Sequence, residues 1–261
     1  MGLPWQGRQL NTNKMILKIG HLIVYSDELE KDVAALQSKG YQILFRQNIG
    51  NLEIKKDWAT SFPEVQDVAF LTAPDNFSIE LIGHKDNVEE SNFIPIIEDG
   101  QEEPDPRDKE TSPGQQNKET SCFRFPVFLN DQKTPFQFNK LLVKTKDLSA
   151  SMDFWKNFGF QAIHLEEGTA QMEFKSILSS KKFFIYLKKS EQTNPNPCLD
   201  NKGISCVSFI TNSAQKEKEK LDRQGIKSTP VGEITVNGKL LHLFFVSGPN
   251  GEIVEVIEIV V

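Results

Sequence analysis

Three unlike side chains, a histidine, a lysine and a cysteine, occupy the same position of a repeated segment. Each lies nineteen residues before a glycine that ends an amphipathic stretch: His21 before Gly40, Lys140 before Gly159 and Cys206 before Gly225. The side chain lies in an apolar run that predicts a β-strand, and the amphipathic stretch predicts a helix. Imidazole and thiolate groups can bind metal ions, whereas an ammonium group repels them. Equal spacing in otherwise different segments indicates an internal repeat.

Two glutamates lie at a second matching position. Glu80 follows Pro74 by six residues, and Glu255 follows Pro249 by six. Each proline opens a turn, so each glutamate is predicted to lie in the last strand of its repeat, with apolar neighbours on the opposite face. His21 with Glu80 is the one pair that we expect to be able to bind a metal ion. Two protein ligands are fewer than the three that a catalytic site usually has.

The chain is predicted to contain three units of strand, helix and three further strands. In the first unit, Asp27 and Glu30 predict a capping box, and Gly40 ends the helix. In the second, Asp147 is the expected N-cap. The predicted strands are 16–25, 41–47, 66–72, 77–82, 137–145, 161–165, 170–175, 182–188, 203–211, 229–233, 240–246 and 253–260, with a further short strand over 123–129.

Composition excludes several classes of function. The net charge is −6, but residues 89–110 hold nine acids against two basic residues, so the remainder of the chain is nearly neutral. A nucleic-acid surface is therefore not expected. Three cysteines without regular spacing argue against a disulfide framework and fit a reducing compartment. With no apolar run of membrane-spanning length and no signal peptide, we expect a cytoplasmic protein that does not interact with membranes.

The domain organisation follows from these patterns. Residues 1–14 are predicted to be a flexible leader, and residues 15–86 an N-terminal βαβββ half-domain. Residues 87–133, rich in acids, proline and glycine, are predicted to be a flexible linker. Residues 134–261 are predicted to form one complete domain of two units, 134–190 and 202–261. We expect the open sheet edge of the lone first unit to recruit a second chain or the C-terminal domain.

The repeat resembles the vicinal oxygen chelate superfamily, which includes glyoxalase I, extradiol dioxygenases and bleomycin-resistance proteins. The resemblance rests on the repeated βαβββ unit, on Phe-Trp-x-x-Phe-Gly-Phe at a helix end (154–160) and on Pro-Asn-Gly-x-x-x-Glu (249–255). It implies an α+β fold in which paired units form a curled mixed sheet, a cup with its helices outside.

The resemblance also implies a site. Members that use a metal take its ligands from the first strand of each unit and from the last-strand glutamate. Carried over, these positions give Lys140, Cys206 and Glu255 in the C-terminal cup, where an ammonium and a thiol replace metal ligands. We expect Lys140 to pair with Glu255, with solvent exposure of Lys140 as the alternative. The predicted cup residues are Lys140, Leu142, Cys206, Ser208 and Glu255.

Two functions stay open from the sequence. The favoured one is a metal-independent protein, similar to the bleomycin-resistance proteins, that binds a small, partly apolar ligand in the C-terminal cup without a cofactor. The alternative is a metal-dependent lyase, isomerase or dioxygenase with Zn, Ni, Mn or Fe at His21 and Glu80. That metal site would be completed across a homodimer.

Overall fold

The computed structural model describes residues 16–74, 77–84, 89, 91–96, 139–176, 178, 181–194 and 196–260. The predicted leader, residues 97–133 of the predicted linker and the predicted strand over 123–129 lie outside these residues. No helix in the described part of the chain has both the length and the apolar composition needed to cross a membrane.

The described elements comprise thirteen strands, three α-helices and one 3₁₀ helix. The first unit holds β1 (Ile16–Ser26), α1 (Leu29–Ser38), β2 (Gln42–Gly50), the 3₁₀ helix (Glu53–Trp58), β3 (Val65–Thr72) and β4 (Ser78–Gly83). A short strand, β5 (Phe93–Pro95), precedes the second unit. That unit holds β6 (Lys140–Thr145), α2 (Leu148–Asn157), β7 (Phe160–Glu166), β8 (Thr169–Lys175) and β9 (Lys182–Lys189). The third holds β10 (Gly203–Thr211), α3 (Ala214–Arg223), β11 (Gly232–Val236), β12 (Lys239–Ser247) and β13 (Ile253–Ile259).

The predicted fold class, α+β with repeated βαβββ units, is confirmed. The three α-helices end just before Gly40, Gly159 and Gly225, and each glycine has a positive φ that other residues rarely adopt. The expected N-cap at Asp147 is also confirmed, because its carboxylate accepts a hydrogen bond from the backbone N–H of Ala150.

The predicted capping box at Asp27 and Glu30 is wrong. Glu28 is the N-cap of α1 and makes no capping hydrogen bond with its side chain. The Asp27 carboxylate instead accepts a hydrogen bond of 2.6 Å from the ammonium of Lys202. A tertiary ion pair thus replaces the local contact that the sequence pattern predicts.

The described strands form two sheets. The eight-stranded sheet has the order β11-β12-β13-β10-β1-β4-β3-β2, so it joins the third unit to the first. At the join, β1 pairs antiparallel with β10, while β4 and β13 lie parallel to β1 and β10 on the outer sides. The second unit forms a five-stranded sheet of its own, in the order β5-β6-β9-β8-β7.

This strand order corrects the predicted pairing of the second unit with the third in one C-terminal cup. The reason lies in which strands are apolar on both faces. Both β1 and β10 are buried almost throughout, so each can occupy the centre of a sheet that is covered on both sides. In β6, buried residues alternate with the half-buried Lys140, Leu142 and Lys144, a pattern that suits a strand covered on one face only. The expectation that the first unit recruits the C-terminal part of the chain is confirmed by the contact of β1 with β10.

The two faces of the eight-stranded sheet are covered differently. The outer face carries residues such as Leu22, Phe209 and Val256, and it packs with the helices and the five-stranded sheet in one hydrophobic cluster. The ring of Phe158 at the end of α2 stacks on Phe209 with centroids 5.2 Å apart. The inner face, defined by Ile23, Cys206 and Phe245, forms a second cluster with the 3₁₀ helix. The second unit therefore acts as packing for the outer face.

The stack of Phe158 on Phe209 gives a stability prediction. Replacing the fully buried Phe209 by alanine should lower the free energy of unfolding by about 3–5 kcal/mol, because it leaves a cavity between the two sheets. Urea denaturation followed by far-UV circular dichroism measures the change. The control is Leu165→Ala on β7, whose side chain is exposed and whose loss should change the free energy by less than about 0.5 kcal/mol. Equal effects of the two substitutions would contradict the described packing of the sheets.

Candidate functional site

His21 lies on the inner face at the join of the two units. Its strand, β1, runs between β10 and β4. The register of β1 with β10 shifts between Ile19 and Leu22, so a β-bulge lies at Gly20 and His21. A side chain at Gly20 would come within 3.2 Å of the Ser208 hydroxyl, which explains the glycine there. Bulges bend a strand and redirect its side chains, and this one turns the imidazole of His21 toward the inner face.

Two carboxylates converge on the imidazole of His21. The Nε2 atom lies 2.8 Å from Oε2 of Glu80 and 3.4 Å from Oε2 of Glu255. Glu80 comes from β4, next to β1, and Glu255 comes from β13, next to β10. Hence the first unit contributes both His21 and Glu80, and the third unit contributes Glu255. Since β1 pairs with β10, all three side chains meet within a single chain.

The three side chains form a buried charged cluster. The side chains of His21, Glu80 and Glu255 are 7, 19 and 5% exposed. Burial alone lowers the pKa of His21, but its contacts with Glu255 and Glu80 outweigh that effect and raise the pKa from 6.5 to about 9. For Glu80, burial raises the pKa, but the contact with His21 outweighs it and leaves the pKa lowered. At neutral pH the cluster is therefore an imidazolium between carboxylates, an arrangement that can donate a proton or hold a polar group.

The pKa of His21 gives a pH prediction. Because the folded value is raised above the unfolded one, the stabilisation is complete below about pH 6.5 and is lost as the pH rises to about 9. From pH 6 to pH 9.5, the unfolding free energy of the wild type should decrease by on the order of 3 kcal/mol more than that of His21→Gln. Chemical denaturation at the two pH values measures this difference.

His164 provides the matched control for that experiment. Its side chain is 61% exposed and contacts Glu166 at the surface of β7. A His164→Gln variant should keep the pH dependence of the wild type, because exposed ion pairs contribute little to stability. An unchanged pH dependence in His21→Gln would show that the buried cluster does not hold the proton.

The residues of the cluster do not fit the divalent metal that the family resemblance implies. Among the described residues, no group of three or more histidine, cysteine, aspartate and glutamate side chains is arranged to hold a metal ion. Burial, reinforced by the charge of Glu255, raises the pKa of the Cys206 thiol well above its usual value, so this sulfur stays protonated and is a poor ligand.

The 3₁₀ helix packs on the inner face of the sheet. Ile54 packs so closely on Gly232 of β11 that a Cβ atom there would lie 2.9 Å from the Ile54 side chain. The ammonium of Lys55 lies 5.5 Å from the ring centroid of Phe245, which is fully buried. Its positive charge also helps to lower the pKa of Glu80. The 3₁₀ helix thus places a cation on the inner face.

The segment after the 3₁₀ helix is fastened by a buried aspartate. The carboxylate of Asp200 accepts hydrogen bonds from the backbone N–H and the hydroxyl of Thr60 and from the N–H of Ser61, at distances of 2.6–3.0 Å. Nε2 of His84 lies 3.3 Å from the same carboxylate. The backbone carbonyl of Trp58 also accepts a hydrogen bond from the N–H of Leu199. These contacts tie the first unit to the loop that precedes β10.

Asp200 should therefore control local opening of this segment. Asp200→Ala removes the acceptor for three hydrogen bonds, so amide hydrogen exchange at Thr60 and Ser61 should become at least about tenfold faster. Asp57→Ala, an exposed position in the 3₁₀ helix itself, is the control and should leave both rates unchanged. Exchange is measured by mass spectrometry of peptides spanning 52–64. If exchange in Asp200→Ala equals that of the wild type, Asp200 does not fasten the segment.

The structure separates the predicted site residues into two groups. Cys206, Ser208 and Glu255 lie in the eight-stranded sheet beside His21 and Glu80. Lys140 and Leu142 lie in β6 of the other sheet, where the Lys140 ammonium is 5.8 Å from the ring of Phe184. The expected pairing of Lys140 with Glu255 is therefore wrong, because the two strands belong to different sheets.

Sequence reasoning missed Lys55 and Asp200. Lys55 lies between Ile54 and Trp58 in a segment too short for a clear periodicity, and its position depends on the 3₁₀ helix packing on the sheet. Asp200 lies in the loop before β10, in an Asp-Asn-Lys-Gly stretch typical of turns. The one available signal was the Asp-Trp pair at 57–58, since a tryptophan in an otherwise polar stretch often marks a buried contact.

Comparison with known proteins finds neither a matching family model nor a matching curated protein. Among solved structures, glyoxalase I from Zea mays is 15% identical, with a TM-score of 0.33 over 95% of this chain and 70% of that one. A glyoxalase family protein from Enterococcus faecalis is 20% identical, with a TM-score of 0.37 over 46% of this chain and 95% of that one. An integron cassette protein from V. Cholerae is 20% identical, with a TM-score of 0.32 over 46% of this chain and 92% of that one. With TM-scores below 0.5, these similarities carry no conclusion about activity.

Proposed function

We propose that this chain is a vicinal-oxygen-chelate-type protein that binds a small, partly apolar molecule on its inner face without a metal ion. The single observation that supports this proposal is the ion-paired cluster of His21 with Glu80 and Glu255. In this cluster the imidazolium supplies the positive charge that a divalent ion would supply between the carboxylates. The ligand site thus lies between the first and third units, rather than between the second and third.

The surroundings of the cluster support a partly apolar ligand. The ring of Phe70 contacts the imidazole of His21 edge-on, with centroids 5.2 Å apart, and stacks on Phe45. Phe245 and Trp58 contribute further aromatic surface to the same hydrophobic cluster. Apolar side chains around a few polar groups are typical of the residues that line small-molecule sites. The aromatic rings would contact the carbon skeleton of the ligand, and the charged cluster of His21, Glu80 and Glu255 would bind its polar group.

The alternative is a metal-dependent lyase, isomerase or dioxygenase with the metal at His21 and Glu80. Glu255 also lies 3.4 Å from His21, so a second carboxylate is present without a homodimer, although the three side chains are not arranged to hold a metal ion. The buried Cys206 thiol, whose pKa is raised by burial, argues against this alternative, because a metal ion binds the thiolate. Dimer formation remains a prediction.

Metal analysis separates the two functions. The purified protein, alone and after incubation with Zn²⁺, Ni²⁺, Mn²⁺ or Fe²⁺ and desalting, should contain far less than one metal ion per chain. His21→Ala should give the same result as the wild type, because no metal depends on the imidazole. Inductively coupled plasma mass spectrometry measures the content. One metal ion per chain that is lost in His21→Ala would establish the metal-dependent alternative and overturn the proposal.

A further inference from the structure

We propose that the side chain of Lys55 occupies the ligand site when no ligand is bound. We also propose that the ligand is a cation, an amine attached to an apolar group. This inference rests on the proposed function, since it identifies the class of molecule that the same site binds. It starts from the position of the Lys55 ammonium over the buried ring of Phe245. A cation over an aromatic face is an arrangement that proteins use to bind amines, and the charge of Lys55 also acts on Glu80.

The charges of the cluster support a cationic ligand. Glu80 and Glu255 bring two negative charges, and His21 brings at most one positive charge. Without Lys55 the inner face therefore keeps a net negative charge whether or not the imidazole is protonated. A buried unpaired charge is unfavourable, so a molecule that displaces Lys55 must restore the positive charge. An anion would add to the imbalance.

A hydrogen-bond acceptor in the cluster is still free to bind. Oε2 of Glu255 is buried without a hydrogen bond, and its contact with His21, at 3.4 Å, is an ion pair only. Buried polar atoms of this kind are usually satisfied by a partner. An ammonium group carries three donors and could bind this oxygen, while its apolar part replaces the Lys55 side chain against Phe245.

The attachment of Lys55 allows it to be displaced. Lys55 lies in the 3₁₀ helix, a single short element, rather than in a strand of either sheet. The residues on either side of Lys55 are held in place. Ile54 packs against Gly232, and the backbone N–H groups of Thr60 and Ser61 donate hydrogen bonds to Asp200. The lysine side chain itself is flexible and half-buried. A change of rotamer can move it away from the inner face while these flanking contacts stay in place.

The test compares a charge-removing variant with its neighbour. Lys55→Met keeps the length of the side chain but removes the ammonium that competes for the site. Its affinity for phenethylamine, measured by isothermal titration calorimetry, should rise about tenfold over the wild type, because the binding-competent fraction increases. Lys56→Met is the matched control: Lys56 is 59% exposed, pairs with Glu53 and should leave the affinity unchanged. Thermal unfolding confirms that both variants are folded.

Two further measurements make the outcome decisive. Adding Glu255→Gln to Lys55→Met should abolish the gain, because it removes one of the charges that attract the amine. Phenylacetate, an anion of similar size, should bind neither the wild type nor Lys55→Met. If phenylacetate binds and phenethylamine does not, the cationic ligand class is overturned, while binding at the inner face stands. If neither probe binds any variant, both this inference and the proposed ligand site fail.

Discussion

The antiparallel pairing of β1 with β10 is the constraint on which the rest of this molecule depends. Both strands are largely apolar on both faces, so neither can leave one face uncovered without exposing a row of large side chains. Bringing them together joins two units that are far apart in sequence and forms the eight-stranded sheet. The same join creates the inner face and places His21 at its centre. The fold and the candidate site thus have one physical origin.

The site illustrates how a protein keeps charges in an apolar interior. Burial disfavours the charged forms of His21 and Glu80, yet their mutual contact and the approach of Glu255 raise the pKa of His21, and the contact with His21 lowers that of Glu80. His21 holds its proton because of the two carboxylates, and Glu80 stays ionised because of His21. Removal of His21 leaves two buried carboxylates without the positive charge that lies between them. The 3₁₀ helix adds Lys55 to this balance from outside the sheet, so the electrostatics of the inner face depend on a segment that is not part of it.

Local features of the fold could be predicted from the sequence, and long-range pairing could not. The glycines that end the helices, the N-cap at Asp147 and most strand positions depend on neighbouring residues, and the pattern indicates them directly. The choice of partner strand depends on which strands are apolar on both faces. The alternation of Lys140, Leu142 and Lys144 with buried residues indicates a strand covered on one face for β6, whereas the spacing of the repeats carries no such information. Glu80 and His21 were predicted as a pair, whereas the approach of Glu255 required the correct sheet order. Lys55 has no local pattern, because its role arises only once the 3₁₀ helix covers the inner face.

The wide separation of β1 and β10 along the chain has a consequence for synthesis. β1 emerges from the ribosome long before β10, and the whole second unit is made in between. Throughout that interval one edge and both apolar faces of β1 lack their final cover, a state that favours association with other nascent chains. The late synthesis of the third unit therefore makes its emergence, rather than any local folding event, the step that protects the nascent chain from aggregation.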